Sequence, residues 1–244
     1  MINVSEIQRL QAKVGSANWN DWQLVRQPQY DYARLPAAGT NSLNFFVNPA
    51  GSTDPVSTLQ KTQEDTNLVK TGSFGQVYFI IQQIRVHALL VAKARQSGAI
   101  ASTTTNLWDG AYAGVAPGLL NLLRSGVLRI FIGQKEYFTL TDPFITCPPG
   151  FGVQVDNIAT AVAAGTPNLR VAQDNTERNV WAVTPTQMVE PDQTIQARID
   201  FPDYNSPAWS SYQINSVTPA VNVGLILDGY VCRSEEHTSE LQSH

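Results

Sequence analysis

Residues 75–91, GQVYFIIQQIRVHALLV, form the longest apolar and β-branched run in the chain. Counted with a period of two, Tyr78, Ile80, Ile84, Val86, Ala88 and Leu90 fall on one face, and Gln83, Arg85 and His87 on the other. Val77, Phe79 and Ile81 make the first half apolar on both faces. A strand of this length and polarity needs a second sheet or another subunit over its apolar end. That requirement excludes a helical bundle and directs the remaining reading toward packed sheets.

Other segments carry the same signal. Residues 42–47 (SLNFFV) are bounded by Gly39 and by an Asn-Pro-Ala-Gly turn. Residues 127–132, a Gly133-Gln134 turn and residues 135–140 have the spacing of a hairpin. Strand patterns resume at 178–183 and 187–190. Over 193–201, Ile195, Ala197, Ile199 and Phe201 alternate with Thr194, Gln196, Arg198 and Asp200. The last strand, over 221–231, directs Val223, Leu225, Leu227 and Val231 inward. Helical spacing is confined to an N-terminal segment from Ser5 to Gly15, with Ile7, Leu10 and Val14 on one stripe, and to a short Pro117-to-Gly126 segment. Residues 18–36, rich in Trp, Tyr, Gln and Pro, read as an extended arm or an irregular loop. Residues 147–172, rich in Ala, Gly and Pro, read as a surface loop or an inter-subunit arm, with a short helix over 158–164 as the alternative. Nine or ten strands joined by turns and long crossovers, without βαβ alternation, predict an all-β antiparallel sandwich with one or two short helices. Eight strands in two sheets is the jelly-roll number. A single jelly roll with insertions suits the strand count; a compact double one, divided near 141–177, is the alternative. The expected organisation is a helix and arm over 1–36 and the sandwich over 37–232.

The last twelve residues, RSEEHTSELQSH, resemble one reading frame of a sequencing adapter and are expected to be a non-native, disordered tail over 233–244. Without them the 16 basic and 20 acidic residues become 15 and 17, and of the three histidines only His87 remains. Charged residues are 15% of the chain, well below the roughly 25% of an average protein. Polarity comes instead from Asn, Gln, Ser and Thr, which meet other surfaces without desolvating charge. No basic run marks a phosphate-backbone reader, so sequence-specific nucleic-acid binding is not expected. No apolar window reaches about 18 residues, and the N-terminus lacks a secretory h-region. Cys147 and Cys232 are too few for a disulfide framework or a thiolate zinc site.

Catalytic constellations find little material. A metal cupin needs several converging histidines. A Ser-His-Asp triad would have to use His87, and no Gly-x-Ser-x-Gly elbow is present. Glu64, Asp65, Glu136, Asp156, Glu190, Asp200 and Asp203 could supply a hydrolase carboxylate pair, but most fall in turns, where solvated carboxylates are ordinary. No catalytic, cofactor or metal residue is therefore assigned.

The segments Tyr30-Asp-Tyr32, Leu43-Asn-Phe-Phe, Gly51-Ser-Thr, Lys61-Thr-Gln-Glu-Asp-Thr-Asn-Leu and Gly72-Ser-Phe-Gly-Gln precede the long strand in that order. With Glu190-Pro-Asp-Gln-Thr-Ile-Gln-Ala-Arg-Ile and Val223-Gly-Leu-Ile-Leu-Asp-Gly-Tyr near the end, the arrangement resembles capsid proteins of small icosahedral bacteriophages, particularly lipid-containing single-stranded-DNA phages. The likeness covers residues 30–231 in outline. It implies a jelly-roll coat protein, made in the host cytoplasm and located in the virion. Its partners would be other copies of itself in trimeric or higher capsomers, with minor capsid proteins or an internal membrane as further neighbours. Ile7, Leu10, Trp19, Trp22, Tyr30, Tyr32, Phe79 and Ile81 are the expected assembly contacts. A carbohydrate- or receptor-binding sandwich is the second expectation, and a glycoside hydrolase a distant third.

Overall fold

The computed structural model describes residues 4–15, 22–36, 38–91, 126–137, 152–154, 170–172, 181–201 and 220–234. Among these, one helix, α1 (Val4–Val14), accompanies eleven strands: β1 (Trp22–Arg26), β2 (Gln29–Arg34), β3 (Ser42–Phe45), β4 (Tyr78–Val91), β5 (Val127–Ile132), β6 (Lys135–Glu136), β7 (Gly152–Gln154), β8 (Arg170–Ala172), β9 (Trp181–Val189), β10 (Ile195–Asp200) and β11 (Ala220–Ser234). Every strand pairing is antiparallel. The expected all-β class holds. The helix expected over 117–126 lies largely outside the described residues.

One sheet runs β1-β11-β4-β9, with β2 also on β11; the other runs β3-β10-β5-β6. β1 and β2 lie end to end along the same edge of β11, pairing with residues 230–234 and 222–227 respectively, so they act as one broken edge strand. Pro28, which has no N–H to donate, falls in the break. The arm expected over residues 18–36 is therefore sheet from Trp22 onward, because β11 offers it a full edge to pair with. β11 itself continues through Arg233 and Ser234, which pair with Gln23 and Trp22. The 147–172 excursion contains a small β7-β8 ribbon, and the strand patterns at 178–183 and 187–190 join into β9.

The pairing is nested. The first strand, counting β1 and β2 as one, lies on the last, β11; β3 lies on β10, β4 on β9, and β5 on β6. Leaving β7 and β8 aside, these are the pairs of one long hairpin closed at the Gly133-Gln134 turn and rolled so that β11 also meets β4 and β10 also meets β5. Between the sheets lies one core. Phe79, Ile81, Ile84, Val86, Val223, Leu225, Leu227 and Val231 face Leu43, Phe45, Leu128, Ile130, Ile132, Ile195, Ala197 and Ile199. The inward positions expected on β10 and β11 are all buried here.

On β4 the period-two reading fails at one residue. Ile81 pairs with Gly229 and Gln83 with Asp228, leaving Gln82 as an extra residue. This bulge exchanges the faces, so Phe79 and Ile81 share the inner face with Ile84 and Val86, while Tyr78 and Ile80 point outward. Gly229 permits it: a Cβ there would lie 1.8 Å from the Ile80 carbonyl oxygen. The second apolar face that the sequence demanded is covered by α1, whose Leu10 is fully buried with Ile80 and Cys232, flanked by Trp22, Leu24, Tyr78 and Met188.

Candidate functional site: sheet faces, edges and a buried ion pair

The expected assembly residues separate into two groups. Phe79, Ile81 and Leu10 are 0–2% exposed and packed within the chain itself. The reasons are the β4 bulge and the docking of α1 on its own sheet. Ile7 is half-buried on α1, and Trp22 is half-buried with its ring 5.7 Å from Tyr78. Trp19 lies outside the described residues. Tyr30 and Tyr32 stand side by side on β2, ring centroids 6.4 Å apart. Tyr32 lies over Gly224, where a Cβ would come within 2.3 Å of its ring, and burial together with the neighbouring Tyr30 pushes its phenol pKa up. The Tyr30 hydroxyl donates to the Gln63 carbonyl.

α1 is fastened by polar contacts as well as by Leu10. The bulged Gln82 donates to Glu6 at 3.2 Å, and Lys13 pairs with Glu190 at 2.6 Å. The bulge thus both turns β4 over and presents a side chain to the helix. The Glu190 pair holds the Lys13 pKa above its ordinary value.

Between Tyr30 and Tyr32, Asp31 points the other way, into the edge of the core. It is 1% exposed and receives a hydrogen bond from Lys61 Nζ at 2.5 Å; the lysine side chain is 5% exposed. The other carboxylate oxygen accepts the Phe46 N–H at 2.6 Å, and the Thr66 hydroxyl also reaches the group. Burial, the largest influence, pushes the Asp31 carboxyl above the ordinary carboxylate range, opposed by Lys61 and by the Phe46 and Thr66 hydrogen bonds. Phe46 sits at φ +61°, a left-handed conformation that bulky residues seldom adopt, and Asp31 fixes its amide there. The same segment covers the free side of β2. The Tyr32 amide donates to the Asp65 carbonyl at 2.8 Å, the Asn67 amide to the Tyr30 carbonyl at 3.3 Å, and the Tyr30 amide to Asn67 Oδ1 at 3.0 Å. The Lys-Thr-Gln-Glu-Asp-Thr-Asn-Leu run is thus a strap closing one edge of the sandwich. Nothing in the sequence marked Lys61 as buried.

Strand edges are blunted elsewhere too. β9 leaves β4 between Ala182 and Gln187, where the Thr184-Pro185 bond is cis. β3 has four residues and β6 two. Irregular, proline-bearing or short edges do not template pairing with another sheet.

The outer face of the β3-β10-β5-β6 sheet is a mixed-charge mesh. Asp200 takes Arg198 at 3.0 Å and Arg129 at 3.1 Å, Glu136 lies 3.7 Å from Arg129, and Arg198 stacks 5.3 Å from the Phe131 centroid. Beside it is a shallow depression of about 220 Å³ lined by Asn44, Val47, Phe131, Gln196, Ala197 and Arg198. Glu136 and Asp200 are the two expected carboxylates that come together, but Arg129 bridges them, whereas a hydrolase pair needs one carboxyl free to act as acid. Asp65 is bound by Thr62, and Glu190 by Lys13. Asp156 and Asp203 lie outside the described residues. Among those residues no three His, Cys, Asp or Glu side chains group as metal ligands, and no helix is long and apolar enough to cross a membrane. Comparison with protein-family models, curated proteins and solved structures finds no match to this chain.

Proposed function

We propose that the chain is a viral coat protein built on a single jelly roll, assembling with copies of itself into a closed shell. The observation that carries this reading is the nested strand pairing. First with last, second with second-to-last and so on inward is the order produced by rolling one long hairpin into two facing sheets, and eight strands in two sheets define the jelly roll. Capsid, lectin and cupin domains share that architecture, so function has to be argued from the surface. The low charge content, the blunted edges and the self-compensated mesh favour a chain that meets its neighbours by faces and loops. A shell closes by symmetry, which requires stiff units. The strap over β2, held by backbone hydrogen bonds and the Lys61–Asp31 pair, contributes to that stiffness.

Expression without residues 235–244, followed by size-exclusion chromatography and electron microscopy, tests the reading. Closed particles or stable capsomers are expected; a strictly monomeric protein would defeat it. The depression beside Phe131 favours glycan or receptor binding as a second reading, since amides, an aromatic ring and an arginine are the groups that grip sugar hydroxyls and faces. A monomer that retains a glycan on an array, and loses it on Phe131→Ala, would establish that alternative.

A further inference from the structure

We propose that Lys61 and Asp31 condense after folding into an intramolecular amide between Lys61 Nζ and Asp31 Cγ. Among the described ion pairs this is the one with both side chains out of water: the Arg partner of Asp228 is 42% exposed, and Lys13 51%. A lysine is required, because an amine can give up its proton and become a nucleophile, whereas a guanidinium does not. Passing the Lys61 proton to Asp31 Oδ1 along their hydrogen bond leaves a neutral amine against a neutral carboxyl, the form that burial already favours for Asp31. Groups held in contact by a folded chain react with effective molarities of up to about 10⁵–10⁸ M.

The atoms balance without an outside reagent. The Nζ lone pair forms a bond to Cγ, and the developing charge falls on Oδ2, where the Phe46 N–H at 2.6 Å stands as the oxyanion donor. A proton from nitrogen passes to Oδ1, the Cγ–Oδ1 bond breaks, and water leaves. Oδ2 becomes the amide oxygen and keeps the Phe46 hydrogen bond. Two buried charges are replaced by one neutral amide, which removes the desolvation penalty of the pair. The cross-link would tie β2 to the strap that covers it. It does not rest on the coat-protein reading, since it forms or fails to form within a single chain.

Intact mass spectrometry of the purified, denatured full chain tests it. The expected mass is one water below that of the sequence. Trypsin should then fail to cut after Lys61 and release residues 27–34 joined to residues 35–70. The Asp31→Asn variant should reach the same final mass by losing ammonia, and Lys61→Arg should keep its full mass. A wild-type chain at full sequence mass overturns the proposal. So does a water loss with Lys61 still cleaved, which would mark a succinimide at Asp31, or a water loss that survives Lys61→Arg.

Discussion

Removing the Lys61 amine from the ion pair strands the Asp31 carboxyl in the core edge opposite Leu225. Breaking a buried pair from one side costs about 3–5 kcal/mol, whereas replacing both members by apolar groups is often close to neutral. Lys61→Met should therefore lower the unfolding free energy by about 3–5 kcal/mol in a urea titration, and Lys61→Met with Asp31→Leu by distinctly less. Cys232 offers a second test. Burial pushes its thiol from 9.0 up to about 11. The folded state therefore holds the proton more tightly than the unfolded state, so the thiol's contribution is fully present below pH 9 and is lost as pH rises through 9–11. The slope is about 1.4 kcal/mol per unit. Cys232→Ala should flatten that part of the stability profile, and native protein at pH 8 should resist iodoacetamide until it is unfolded. Lys61 was not legible as buried from the sequence, whereas a free, partly buried thiol is the ordinary reading of Cys232. Lysine is almost never buried unless paired, and the partner of Lys61 lies thirty positions upstream, beyond any local pattern.

The pairing of the first sheet is interrupted along one line. Gln27 and Pro28 between β1 and β2, Asp228-Gly229 in β11, Gln82 in β4 and residues 183–186 in β9 all occupy the same level, so all its strands are interrupted together. On one side of this crease the outer face is apolar and carries α1; on the other it carries the Arg85 and Asp228 pair and the Tyr30-Tyr32 pair. The crease explains what the alternation pattern got right and wrong. β10 and β11 read true because their inward residues keep parity in the core, whereas one inserted glutamine reversed half of β4. It also separates the helix from the fold. Removing residues 1–15 should expose Ile80, Cys232 and Tyr78 and raise dye binding to apolar surface, while the strand signal in circular dichroism persists. Removing residues 1–36 instead takes β1, β2 and Asp31 with it and should unfold the sandwich.

At the scale of the whole molecule, the antiparallel all-β class was readable but the nested pairing was not, because it joins residues as far apart as Trp22 and Ser234 that no local period connects. The surface that remains has a specific bias. The large apolar side chains exposed among the described residues are all valines, and three of them, Val47, Val56 and Val69, lie on the loops between β3 and β4; Val69 is 87% exposed. If copies meet through these loop valines, that contact is apolar, and two consequences separate it from a charged interface. Particles should survive roughly 1 M salt, where electrostatic attraction is screened within about 3 Å. Val69→Asp should leave monomer stability within about 0.5 kcal/mol, as exposed substitutions do, yet block assembly by placing an unpaired charge in the contact. Light scattering of assembled protein and urea unfolding of the same variant measure the two effects. Assembly of Val69→Asp at the wild-type level would remove this loop surface from the interface and leave the faces of the sheets as the sites where copies meet.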